Sequence, residues 1–225
     1  MTTARWWHLL TAGVSGSALA LQLVLVMASD NDTVLLRLVR LLSFFTIQSN
    51  IIVTVVAVTL VVRPDRDGPR WRIARLASLV CITVTGIVYV TVLRGLVELT
   101  PAGRVADTGL HYLTPLLVVI GWLLFGPRPR IGVRVIVVTM LYPVLWLAYT
   151  LIRGELTDEY PYPFVDVAAE GYGVVALNCV LVTALFLAVA ALYLWLDSRL
   201  TAAPSLPAAP RATLAGRRRP RSSPR

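Results

Sequence analysis

Lysine is missing from this chain, and all 21 of its basic residues are arginine. Histidine occurs only at His8 and His111, cysteine only at Cys81 and Cys179, and charged residues make up 15% of the whole. Each shortage removes a class of function. So few histidines and cysteines, so widely spaced, form no metal-ligand pattern. No glycine-rich phosphate loop and no Gly-x-Ser-x-Gly elbow occurs, so nucleotide-driven chemistry and the ordinary α/β-hydrolase lack support, and neither metal nor organic cofactor is expected. The scarcity of charge also leaves no soluble domain. With 57% hydrophobic residues and a mean hydropathy of +0.74, the composition is that of an integral membrane protein.

A helix needs about 20 largely apolar residues to cross the hydrocarbon. Such runs lie at about residues 6–28, 41–62, 74–95, 108–125, 132–152 and 172–196. The expected fold is therefore all-α, a polytopic bundle of six transmembrane helices spanning residues 1–200. The first run is too long for the core of a signal peptide and is read as a retained helix. Residues 201–225, rich in arginine, proline and alanine, carry no apolar periodicity and are expected to be a disordered tail.

Arginine alone sets the orientation. With the N-terminus inside, sixteen arginines fall on the cytoplasmic side, and only Arg37, Arg40, Arg94, Arg104 and Arg153 fall outside. The positive-inside rule then places both termini in the cytoplasm of a cell membrane. The arginine-rich inner segments suit anionic lipid headgroups, each charge contributing about 1 kcal/mol near the surface. No folded nucleic-acid reading module accompanies them, and nucleic acid is not an expected partner.

Two polar islands interrupt the apolar runs, at residues 45–50 and 111–115. Ser43, Thr46, Asn50 and Thr54 recur on one stripe of a helix, and a polar stripe in lipid is expected to face the bundle interior. Tyr142, Trp146, Tyr149 and Arg153 form a second stripe on the fifth span. Spans two and four run in the same direction, so Thr46 and His111 fall at similar depth. Asn178, early in the sixth span, Tyr149 and Tyr162 are placed near the same end. A threonine hydroxyl needs a neighbouring base to become a nucleophile, and a neutral imidazole fills that role. Thr46 and His111 are thus the candidate catalytic pair, with Asn50, Asn178 or Gln48 as candidate oxyanion donors and Tyr149 and Tyr162 as pocket residues. The plainer reading is that Thr46 bonds the carbonyl one turn back and that His111 anchors a helix end. His8 is expected at the inner interface. Cys81 and Cys179 fall at depths too different for a disulfide.

The order of these features carries a resemblance. A threonine early in span two (Phe45-Thr46-Ile47), a histidine opening span four with threonine and proline behind it (His111 to Pro115), and an aromatic fifth span (Tyr142 to Tyr149) occur in sequence. A Tyr-Pro-Phe loop (Tyr162-Pro163-Phe164) and Asn178 follow. This order resembles the family of the androgen-induced gene 1 protein and the androgen-dependent TFPI-regulating protein, over about residues 35 to 195. The exclusive use of arginine suits a bacterial member from a high-GC organism. The resemblance implies a multipass hydrolase of fatty-acid esters of hydroxy fatty acids, with Thr46 and His111 at the positions of the catalytic threonine and histidine. The segment Gln48-Ser49-Asn50 is more polar than its animal counterpart, and an acidic stretch precedes Tyr160, so the natural ester is left open. The alternative function is a noncatalytic protein that binds or transports lipid in the same pocket.

Overall fold

The computed structural model describes residues 2–29, 32–126, 128 and 130–200. The expected tail at residues 201–225 lies outside the described residues. Within them the chain is all helical and no strand occurs. Its helices are α1 (Thr3–Met27), α2 (Val34–Ser43), α3 (Phe45–Val62), α4 (Pro69–Leu93), α5 (Pro101–Phe125), α6 (Val133–Thr157) and α7 (Val167–Arg199). All but α2 are long and apolar enough to cross a membrane, which makes six candidate spans in a multipass arrangement.

The inner helices are set by side-chain size and polarity. α1 lies along α3, and α4 touches α3, α5, α6 and α7. Leu76, Leu79, Val80 and Ile82 of α4 are buried against Val53 of α3 and Trp122 of α5. Small residues let α1 approach closely. Ala12, Ser15 and Ala18 are buried there, and Gly109 of α5 sits so near Ala18 that an added Cβ would collide with the alanine methyl. The polar stripe of α3 meets this helix. Ser15 donates to Asn50 Oδ1 at 3.2 Å, and Thr54 donates to Ser15 at 2.9 Å.

Two departures from regular helix position the site. The span expected at 41–62 is broken at Phe44, whose backbone is extended (φ −71°, ψ 124°), so α2 ends at Ser43 and α3 starts afresh at Phe45. The carbonyls released by the break do not go unpaired. Gln48 Nε2 donates to Leu42 O at 2.7 Å and Trp146 Nε1 donates to Ser43 O at 3.0 Å. Broken helices persist at membrane depth where protein or water bonds the freed backbone groups again. The aromatic face of α6 supplies most of that repair, since Tyr142 also donates to Gln48 Oε1 at 2.7 Å and the Tyr149 hydroxyl lies 2.9 Å from that of Ser43.

The second departure is a π-helical turn at Gly109–Leu113 in α5. Pro115, two residues beyond it, brings no N–H for the carbonyl of His111, so the usual four-residue hydrogen bond is lost there and the helix widens by one residue. Gly86 of α4 accepts the resulting bulge. A Cβ at that position would stand 3.2 Å from the Pro115 ring and 3.4 Å from His111 O. A matching π-helical turn ends α4 at Tyr89–Leu93.

Candidate active site

Thr46 is the second residue of α3, and this placement frees its hydroxyl. Many hydroxyl side chains in the helices fold back on the carbonyl four residues earlier, as Thr11, Ser49, Thr91, Thr108 and Thr183 do. For Thr46 that carbonyl belongs to Leu42, across the break, where Gln48 already holds it. The Thr46 hydroxyl instead lies 3.2 Å from His111 Nε2 and 3.2 Å from the hydroxyl of Tyr162.

His111 is fixed from its far side. Its Nδ1 lies 2.9 Å from Asp107 Oδ1, one turn earlier on α5. An ionised carboxylate only accepts hydrogen bonds, so Nδ1 carries the proton and Nε2 presents its lone pair to Thr46. Tyr89, in the π-helical turn of α4, stacks on the imidazole with ring centroids 3.9 Å apart and 13° between planes. Its hydroxyl donates to the other oxygen of Asp107 at 2.6 Å. Both oxygens of the carboxylate are thereby held, and the ring has one orientation in which Nε2 faces Thr46.

Tyr162 closes the chain of hydroxyls. The Thr46 amide donates to its phenolic oxygen at 3.2 Å, and the Phe45 amide faces the same oxygen, both being unpaired N–H groups of a helix start. Burial pushes the Tyr162 phenol above its ordinary pKa, so it stays a neutral donor toward Thr46. The proton order Tyr162 to Thr46 to His111 leaves each hydroxyl donating once. The loop bearing Tyr162 is tied at both ends. Glu159 pairs with Arg40 of α2 and with Arg153 of α6, and the hydrogen bond from Arg40 holds its carboxyl at about 2. Asn178 Nδ2 donates to Phe164 O at 2.9 Å.

Two cavities flank Thr46. One, of about 240 Å³, is apolar and lies among α4, α6 and α7, with Met140, Leu147, Val182 and Phe186 on its walls. The other, of about 530 Å³, is a mixed vestibule bordered by Asp32, Arg37, Arg40, Asp107 and His111. Thr46, Leu93 and Tyr162 line both.

Of the residues expected in the site, Thr46, His111 and Tyr162 are brought together and the others serve elsewhere. Asn50 is fully buried one turn below, and its amide donates to Thr46 O at 2.9 Å and to Leu110 O at 3.3 Å. It ties α3 to α5 beneath the pair, and its donors are already engaged. Gln48 and Tyr149 border a shallow groove on the other side of α3, at the helix break. Asn178 holds the loop rather than the pair. Ser43, expected on the stripe of Thr46, lies in α2 and bonds Val39 O and Tyr149. His8 is buried within the protein beside Phe125, near the start of α1. Cys81 and Cys179 are free thiols, and among the described residues no group of three histidine, cysteine or acidic side chains is placed to hold a metal.

Asp107 and Tyr89 were not candidates from sequence, although a signal was present. Asp107 and His111 stand four apart, the spacing that puts an acid and an imidazole on one helical face. Compared with protein-family models, curated proteins and solved structures, the chain matches none.

Proposed function

We propose that this protein is an integral membrane hydrolase of lipid esters. The observation that carries the proposal is the Thr46 hydroxyl, denied its own helix carbonyl and held 3.2 Å from an imidazole whose other nitrogen is 2.9 Å from a carboxylate. Nucleophile, base and orienting acid in this geometry are the working parts of acyl transfer on unrelated folds.

In the proposed reaction the Thr46 oxygen attacks the ester carbonyl carbon while its proton passes to His111 Nε2. The carbonyl electron pair moves onto oxygen, to which the Tyr162 hydroxyl turns once the Thr46 oxygen it bonded has become the acyl oxygen. Collapse breaks the bond to the leaving alkoxide, which takes the proton from His111 and departs as the alcohol. Water then attacks the acyl-threonine, giving its proton to His111, and Thr46 leaves with that proton. The products are one carboxylic acid and one alcohol. Asp107 gives up and takes up no proton in these steps. It is a positioning residue that fixes the tautomer of His111 and offsets the imidazolium charge.

Esters of hydroxy fatty acids, the substrate class implied by the resemblance to the androgen-induced gene 1 family, fit a site with an apolar chamber on one side and a vestibule bordered by arginines on the other. The arginine distribution further supports a cell membrane with both termini in the cytoplasm and the site near the outer face. Anionic headgroups are then the proposed partners of the inner arginines. Labelling the detergent-purified protein with an alkyl fluorophosphonate tests the chemistry. The expected result is a single adduct on Thr46, located by mass spectrometry and absent in Thr46→Ala and His111→Ala. Folded wild-type protein that stays unlabelled would refute the hydrolase and leave the noncatalytic lipid-binding or transport reading.

A further inference from the structure

The two cavities differ in which catalytic groups they border, and that difference distinguishes the two halves of an ester. His111 and Asp107 border the vestibule and do not line the apolar chamber, whereas Thr46 lines both. In the reaction proposed above, on which this inference rests, the leaving oxygen must reach His111 Nε2 to be protonated. That oxygen therefore departs on the vestibule side. The acyl group remains on Thr46 with its chain on the other side.

We infer that the apolar chamber among α4, α6 and α7 is an acyl-chain site, and that the alcohol half of the ester occupies the vestibule. The surroundings select the occupant. Val144 and Leu187 line the chamber and yet are 57% and 53% exposed, so they stand at a mouth between α6 and α7. Both helices are candidate spans, and a mouth between them opens toward hydrocarbon, from which only an apolar chain enters. The chamber wall is made of aliphatic and aromatic groups, with few polar atoms besides the hydroxyls of Thr46, Thr85, Thr183 and Tyr162 and the thiol of Cys179. At about 30 Å³ for a water-sized group, 240 Å³ holds about eight methylenes. A longer chain continues through the mouth into the bilayer, where its added carbons meet no new protein surface. The preference for acyl length thus rises to about eight carbons and then levels off.

Occupancy is read without turnover by irradiating full-length protein in nanodiscs with decanoic acid bearing a mid-chain diazirine. Adducts on Cys179, Val182 and Phe186, competed by plain decanoate, are expected. Adducts confined to Leu145 and Leu181, which are exposed on the outer faces of α6 and α7, would overturn the site. Val182→Trp fills the chamber and is expected to remove the competed adducts. The same variant, checked for a wild-type melting transition, is assayed on two ester series. The turnover ratio of octanoyl to acetyl esters should fall at least tenfold, while the ratio of octyl to ethyl acetates should keep its wild-type value. A change in the alcohol series instead would reverse the assignment of the two halves. Labelling of the chamber without turnover of any ester would keep the acyl site and refute the hydrolase. Turnover with labelling only on the outer faces would do the opposite.

Discussion

Replacing Asp107 with asparagine keeps the size of the side chain and removes its charge, so it isolates what the carboxylate contributes to His111. In the proposed reaction Thr46 gives up its proton and the imidazole becomes a cation beside a carboxylate oxygen 2.9 Å from Nδ1, with both side chains only 14% and 16% exposed. Two unit charges with centres about 4 Å apart attract by about 4 kcal/mol at an effective dielectric constant near 20. At 1.36 kcal/mol per decade that is about a thousandfold in rate. The asparagine has a second effect in the same direction. If its amide nitrogen faces Nδ1, the imidazole proton moves to Nε2, which then cannot accept from Thr46. Hydrolysis of p-nitrophenyl octanoate in detergent, measured as kcat and KM separately, should therefore show kcat reduced about a thousandfold with KM little changed. Tyr89→Phe removes only the 2.6 Å hydrogen bond to the other carboxylate oxygen. About 1.5 kcal/mol, near tenfold, is expected from it. Asp107→Asn protein that melts like wild type and keeps kcat within threefold would refute the role given to Asp107. It would also remove the reason for treating the three residues as one unit.

Two further expectations concern the frame around the site. Gln48→Leu or Trp146→Phe leaves the carbonyl of Leu42 or Ser43 unpaired at the break before α3; each should lower stability by about 1–3 kcal/mol, read from melting in detergent, and unchanged melting of both would mean that water already serves the break. Glu159, whose carboxyl is lowered from 4.5 to about 2, stabilises the Tyr162 loop fully above pH 4.5 and loses that effect as pH falls through about 2. The difference in melting temperature between wild type and Glu159→Gln should stay constant near neutral pH and shrink in acid, whereas a difference that grows in acid would contradict the pairing with Arg40 and Arg153.

Six candidate spans, and Thr46 and His111 at similar depth, were legible because hydropathy fixes where a chain can cross and direction of travel fixes depth. What hydropathy measures also hid part of the site. Asp107 depresses the apolar average of its own window, so the fourth span was expected to begin at residue 108, while the helix begins at Pro101. The acid was thus assigned to a loop and never set beside the histidine four residues on. The break at Phe44 was invisible for a different reason. Neither proline nor glycine marks it, and it is held by Gln48 from the next helix and by Trp146 from α6, about a hundred residues away. A stripe drawn through Ser43, Thr46, Asn50 and Thr54 assumed one continuous helix. The break removes Ser43 from that stripe and turns Asn50 toward Ser15 and Leu110. Azimuth is decided by such contacts, and no local pattern encodes them.

The spans are unequally enclosed: half of the apolar window of α3 and of α4 is buried, against 11% for α6 and 22% for α7. The hydroxyl, imidazole and carboxylate all lie between residues 46 and 111, on helices whose packing partners α1, α4 and α5 are made before α6 begins. The last hairpin then adds Tyr162 and most of the wall of the apolar chamber, against a bundle already in place. A chain ending after α5 would carry Thr46, His111 and Asp107 without Tyr162, without the Trp146 bond to Ser43 O and without most of the wall of the apolar chamber. The apolar chamber, unlike the vestibule, is therefore complete only once α7 has been made.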